Sequence, residues 1–530
     1  MEDRTTDLFK SWIKTNSIIA GVFAVIIIAI FPLVFRDYYF DILKVKYVFY
    51  YGSVITMLLV FIITTAIFLY KDCKDYQGYN LKSIRTSFSI KSMRKTDWAM
   101  IVFILIAGIS TIQSEYFYES FWGNEGRFMG MFLILIYGVS YFIISRFLKF
   151  KQWYLDIFLA AGIFACLIGI LQYYLIDPIG FKNNISADQF DAFTSTIGNI
   201  NTYTSYVALI VGVAVILYLV EKNFMRRLWY LSAVIISLYA LITGISDNAY
   251  LAMCALFGFL PLYLFKNIKG IKQYLLLLSL LLTEFWIIDA INKAFPNHVI
   301  GINGLFGVIA NFKYLQYLII ALWGITIIIH IIDVYSLREG LLQREGNIGR
   351  WLWLLFLILV ILGSSYILYD VNIVGNVGKY GSLENYLIIN DDWGTYRGYI
   401  WRIGLESYEK FPIIHKIFGY GPDTFGIITV NNYYKEMISR YNEKFDSAHN
   451  EYLQYLITIG IAGLIAYISL IVTSIKQMIR SSKTEPAVMA IVFAILCYGA
   501  QAAVNISVPI VSPIMMTLLM IGVSVSEKSN

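Results

Sequence analysis

Apolar runs of roughly 20 residues recur along this chain of 530 residues, and nothing else in it constrains the fold as strongly. A helix rising 1.5 Å per residue needs about 20 apolar residues to cross the hydrocarbon core of a bilayer. In that core every backbone N–H and C=O must be satisfied inside the segment, so runs of this length become helices. Of all residues 58% are hydrophobic and 14% charged, against about 25% charged in soluble domains. The expected fold class is all-α, a polytopic membrane helix bundle of about 12–14 transmembrane helices.

The runs place about 14 spans at 17–35, 48–70, 98–113, 128–148, 153–176, 201–220, 228–245, 249–265, 273–291, 314–333, 351–369, 449–473, 486–507 and 511–525. With the N-terminus inside, the inner segments carry roughly 26 Lys and Arg, and the five short outer loops before the long segment about 7. Both termini are therefore expected in the cytoplasm, with the protein in the cytoplasmic membrane. The first run has no small-residue cleavage site after it and reads as a retained helix. The net charge of +6 follows from this topology, so no nucleic-acid partner is implied. Cys73, Cys166, Cys254 and Cys497 have neither disulfide-framework nor zinc spacing.

The chain divides into a transmembrane bundle (1–369), a long outer segment (370–448) and C-terminal spans (449–530). In the outer segment Ile400, Ile403, Tyr408 and Phe411 recur near helical spacing with polar residues between them. That pattern predicts an amphipathic helix, stopped by Pro412. Gly419-Tyr420-Gly421-Pro422-Asp423 reads as a tight turn, and a second polar helix is expected at about 432–443. The string Phe121-Trp122-Gly123-Asn124-Glu125-Gly126-Arg127 reads as an interfacial aromatic belt closed by a cation.

Candidate chemistry is sparse. His449, Leu453, Leu456, Gly460 and Gly463 follow one helical stripe, which would set an imidazole at the mouth of a span and let another helix approach the glycines. A lone His at a helix start is more often a cap; an imidazole there can equally exchange protons near neutral pH. Arg127, Arg397 and Arg402 are scarce outer cations whose planar forks suit a diphosphate, or else solvate a surface helix. Glu284 and Asp289, inside a span, should face the interior and are secondary candidates for a base. Asp247 sits in a short outer turn. His298 and His415 read as loop residues, and His330 lies at the inner end of its span. There is no phosphate loop, no zinc-protease motif and no nucleophile elbow; neither a cofactor nor a metal is expected.

Taken in order, Gly126-Arg127, Gly198-Asn199-Ile200-Asn201, Arg397-x-x-x-Trp401, Pro412, Gly419-x-Gly421-Pro422-x-x-Phe425, His449-Asn450-Glu451 and Gly460-x-x-Gly463 resemble the O-antigen ligase and Wzy-type polymerase superfamily. The resemblance implies a GT-C-like bundle whose outer segment caps a cavity. It implies metal-independent, inverting transfer of a glycan from a polyprenyl-diphosphate carrier to a glycan, lipid or protein acceptor outside the cytoplasmic membrane, in cell-surface polysaccharide biosynthesis. Within that resemblance His449 is the catalytic base and Arg397, Arg402 and Arg127 the diphosphate clamp, with Asn450 and Glu451 in support. One departure stands out: the family's Ser-Arg-Gly-like turn is Ser246-Asp247-Asn248 here, and Arg127 is a candidate replacement for the missing arginine. The rival reading is a lipid-linked oligosaccharide flippase or another polytopic transporter.

Overall fold

The computed structural model describes residues 7–81, 84–85, 89–335 and 346–525. The termini at 1–6 and 526–530, which the charge count assigns to the cytoplasm, lie outside the described residues. Among the described residues ten helices are long and apolar enough to cross a membrane, and four shorter apolar helices accompany them, at the places read from the hydropathy. Among the described residues only two-residue strands pair, Phe193–Thr194 with Gly198–Asn199. The chain is an all-α, multi-pass membrane protein.

Two compact units emerge. The first combines Met1–Ala165, Ile403–Ile495 and Asn505–Asn530; the second combines Cys166–Arg402 with Leu496–Val504. In the first, the helix Lys95–Ile112 packs along Gly460–Ser481, and Ser512–Val523 along Met131–Phe147. Where lipid removes the hydrophobic drive between helices, small side chains and polar bonds join them. Tyr137 donates to Ser512 Oγ at 2.9 Å. Asp97 pairs with Arg94 at 3.0 Å and with Arg146 at 2.8 Å.

The second unit is built around Ile200–Val220, 89% of whose apolar window is buried. Phe224–Thr243 and Asn248–Leu264 pack against it. Gly169 lets the ring of Tyr203 come close: a Cβ there would lie 2.3 Å from the hydroxyl. By contrast, none of the apolar window of Ile348–Val374 is buried within the protein, so that helix presents its surface to lipid.

The expected amphipathic helix is observed as Trp393–Lys410, ending two residues before Pro412. The second polar helix starts earlier than predicted, at Phe425, and runs to Tyr441. The span expected at 449–473 needs correction. A short helix, Glu451–Thr458, stops at Ile459, and the membrane helix proper is Gly460–Ser481. Gly460 sits at φ +70° and His449 at φ +46°, so neither continues a helix. The stripe from His449 to Gly463 therefore does not exist as one face. The close approach expected at the glycines does occur at Gly460, where a Cβ would lie 2.2 Å from the Ile417 carbonyl oxygen, on the helix Ile413–Phe418.

Candidate functional site

Three pieces of chain converge in the first unit. The glycine turn makes two φ-positive excursions, Gly419 at +73° and Gly421 at +114°, and then one at Asp423, +64°. The turn is pinned from below. The Thr458 carbonyl, left over at the end of its short helix, accepts from Gly421 N–H at 2.8 Å and from Ser110 Oγ at 3.0 Å. Gln113 Nε2 donates to the Gly419 carbonyl at 3.0 Å. A Cβ on Gly419 would lie 2.1 Å from the Thr458 oxygen, so this residue cannot carry a side chain.

The second piece is the loop before Met131–Phe147. Gly123, at φ +86°, would drive a Cβ to 2.7 Å from Phe128 Cα. This tight loop turns two backbone N–H groups, of Asn124 (2.7 Å) and Met129 (3.2 Å), onto Asp423 Oδ2. The Asn124 side-chain amide also donates to the Asp423 carbonyl. Asp423 is 5% exposed. Burial pushes its carboxyl up to about 7, although the two N–H groups and Arg127 pull the other way. The same loop carries Arg127, whose Nε and Nη2 grip Asp446 at 3.2 and 2.6 Å in a bidentate pair.

The third piece is Ser447–Glu451. Asn450 Oδ1 accepts from the N–H groups of Tyr452 and Leu453, both at 3.0 Å, and so caps the short helix. Glu451 is buried and accepts from the Tyr467 hydroxyl at 2.6 Å. Both supporting residues thus hold the segment in place. His449 stands half-buried between Ser447 and Asn450, its backbone N–H 3.4 Å from Ser447 Oγ. Ser447, Asn450, Glu451, Gln454, Asp423 and Arg127 line one crevice. A buried carboxyl, a guanidinium and a half-buried imidazole on adjoining loops can bind an anion and move a proton.

The remaining candidates belong to the second unit. Gly394, Thr395 and Tyr396 adopt left-handed backbone inside Trp393–Lys410, and Arg397 follows them. Its Nε donates to the Val504 carbonyl at 3.0 Å and its Nη1 to the Gly394 carbonyl. Burial lowers its pKa, against the field of Asp247. Arg402 Nε and Nη2 reach Asp391 at 2.9 and 3.1 Å. The turn at Asn390–Asp391 crosses the helix at Gly398, where a Cβ would be 1.8 Å from the Asn390 oxygen.

Asp247 accepts from Leu305 N–H at 3.3 Å and from the Tyr386 hydroxyl at 3.2 Å. Asn201 Oδ1 accepts from Ser246 Oγ at 2.6 Å and from Asn248 Nδ2 at 3.2 Å, which joins the Gly198–Asn201 string to the turn holding Asp247. Glu284 is buried, with both carboxyl oxygens unpartnered among the described residues. Asp289 pairs one helical turn along its own helix with Lys293 at 2.7 Å.

All three arginines are thus already engaged, two of them by carboxylates the sequence reading passed over, Asp446 and Asp391. An acid within a few residues of each motif is the only signal that could have flagged them. No group of three or more His, Cys, Asp and Glu suited to a metal ion occurs among the described residues.

Residues 304–468 match the family model described as O-Antigen ligase. This bears out the resemblance read from the motifs. The O-antigen ligase segment contains Arg397, Arg402, Asp423, Asp446 and His449; Arg127, Asp247 and Glu284 precede it. No curated protein matches the chain in a sequence comparison. An O-antigen ligase segment within a multi-pass bundle supports a membrane enzyme of glycan transfer.

Proposed function

We propose that the protein takes a glycan from a polyprenyl-diphosphate carrier and transfers it to an acceptor hydroxyl at the outer face of the cytoplasmic membrane. The observation that carries this reading is the position of His449. It lies within the O-antigen ligase segment, between two residues that line the crevice holding Arg127 and Asp423.

In the proposed reaction the acceptor oxygen attacks the anomeric carbon as the bond from that carbon to the diphosphate oxygen breaks. The electron pair leaves with the diphosphate, and the acceptor proton passes to the His449 imidazole. Attack opposite the leaving group inverts the carbon. Arg127, which lines the same crevice, acts on the developing negative charge, a task the motif resemblance gives also to Arg397 and Arg402.

Their present partners fit such a role. The Arg127–Asp446 and Arg402–Asp391 pairs are partly exposed, with side chains 21–57% accessible, and exposed ion pairs are worth only about 0–1 kcal/mol. A dianionic diphosphate can displace a carboxylate held that weakly. Until it does, the carboxylates keep the forks extended and in place.

The test is a strain lacking the gene. Lipid-linked glycans should accumulate on the outer leaflet, and purified protein with lipid-linked glycan should form acceptor-linked product. Accumulation on the inner leaflet instead would favour a flippase and defeat this reading.

A further inference from the structure

A second crevice in the first unit plays no part in the chemistry above. It encloses about 380 Å³, at the lower end of the roughly 300–1,000 Å³ of small-ligand sites. Four separate parts of the chain build it: Glu115 and Tyr116 after the helix Lys95–Ile112, Lys410 and Phe411 at the end of Trp393–Lys410, Tyr420 in the glycine turn, and Asn431 to Tyr433 on Phe425–Tyr441. The rings are fixed by their neighbours. Tyr420 stacks on His415 at 3.8 Å and meets Phe411 edge-on at 4.6 Å. The Tyr433 hydroxyl donates to Glu406 at 2.9 Å, and Asn431 Nδ2 donates to the Tyr116 hydroxyl at 3.2 Å.

The chemistry of this lining selects its ligand. Asn431 and Asn432 are exposed, and each amide offers donors and an acceptor. Glu115 adds acceptors and Lys410 donors, one charge of each sign. A diphosphate would need converging cations, and an acyl chain would need a dry apolar wall; neither is present. A sugar ring has an apolar C–H face for an aromatic surface and a rim of hydroxyls that both donate and accept, which suits rigid tyrosines among amides. Position adds to the case. Tyr420 lines this crevice, while Pro422 and Asp423 line the one beside Asn450, and two residues span at most about 7 Å of chain.

We infer that this aromatic and amide crevice binds a sugar residue of the glycan, away from the reacting carbon. The inference rests on the transferase reading and sharpens it: the enzyme measures more of its glycan than the bond it makes.

The experiment uses full-length protein in detergent and, as probe, glycan released from the host's lipid carrier by mild acid. Binding to wild type, followed by saturation-transfer NMR, should weaken about tenfold in Asn431→Ala/Asn432→Ala through loss of two hydrogen bonds. Transfer by that variant should show a raised KM with kcat nearly unchanged. Glu115→Gln, at an exposed residue, should weaken binding in the same direction and guards against misfolding of the double variant. Binding that is unchanged in both variants would overturn the crevice, and transfer by the same preparations would show that the transferase reading survives. Glycan binding lost in the variants but never followed by transfer in wild type would support the crevice and defeat the transferase reading.

Discussion

Asp423 offers a test of the site's construction that does not depend on knowing the substrate. Its carboxyl is moved by burial from 3.8 to about 7. Each pH unit of displacement is worth about 1.4 kcal/mol, so the ionised form stands about 4 kcal/mol worse in the folded protein than in the unfolded chain. The sign follows from which state holds the proton. Below pH 3.8 both states are protonated and nothing is lost. Between about 4 and 7 the unfolded chain releases its proton while the folded protein keeps it, so stability falls as pH rises. Above 7 the deficit is complete and constant.

Asp423→Asn keeps an oxygen to accept the N–H groups of Asn124 and Met129 but cannot ionise. Denaturant titration of purified protein in micelles should show wild type losing about 2 kcal/mol between pH 5 and 7, with the variant flat across that window and the more stable of the two at pH 8. Parallel curves for the two proteins would refute the reasoning, and would mean that water reaches the carboxyl or that Arg127 offsets the whole burial penalty.

Other outcomes follow from the same geometry. His449→Gln should fold and insert normally yet lose about 10²- to 10⁴-fold in transfer; normal transfer by the Gln variant would leave His449 only a positioning role. Arg402→Ala should cut transfer by about 10- to 150-fold, whereas Arg402→Lys should retain part because the charge survives without the fork; unchanged kcat/KM in the Ala variant would return Arg402 to a purely structural pair. Gly460→Ala forces a Cβ to within 2.2 Å of the Ile417 oxygen at φ +70°, so its thermal unfolding midpoint should drop sharply. A midpoint within error of wild type would contradict the observed close approach. Cysteines placed near Gly421 should react with an impermeant thiol reagent in intact cells and ones near Lys91 should not; the reverse pattern would invert the topology.

The spans were legible because hydropathy and length alone decide them, and so were the stop near Pro412 and the turn at Gly419 to Asp423. What hydropathy hides is a change of direction inside an apolar run. Ile457, Thr458, Ile459 and Gly460 look continuous, yet the left-handed Gly460 ends one helix and starts another. Asn450 could have been read better, since Asn before an apolar run is a good helix cap. The partners of the arginines could not. Asp446 meets Arg127 across 319 residues, and Asn201 meets Ser246 across 45; such pairings are set by tertiary packing that no local pattern encodes.

The division of the chain into its two units carries a consequence for how the molecule is made. The second unit is nearly contiguous, Cys166–Arg402, whereas the first needs Met1–Ala165 to meet segments that begin at Ile403. Ser110 awaits the Thr458 carbonyl, which follows 348 residues later. At about 5–20 residues per second of synthesis, that is about 17–70 s in which an early helix rests in the bilayer with its hydroxyl turned to its own backbone or to insertion machinery. The inserted unit can close first, while the half carrying His449 is assembled last, from its two ends.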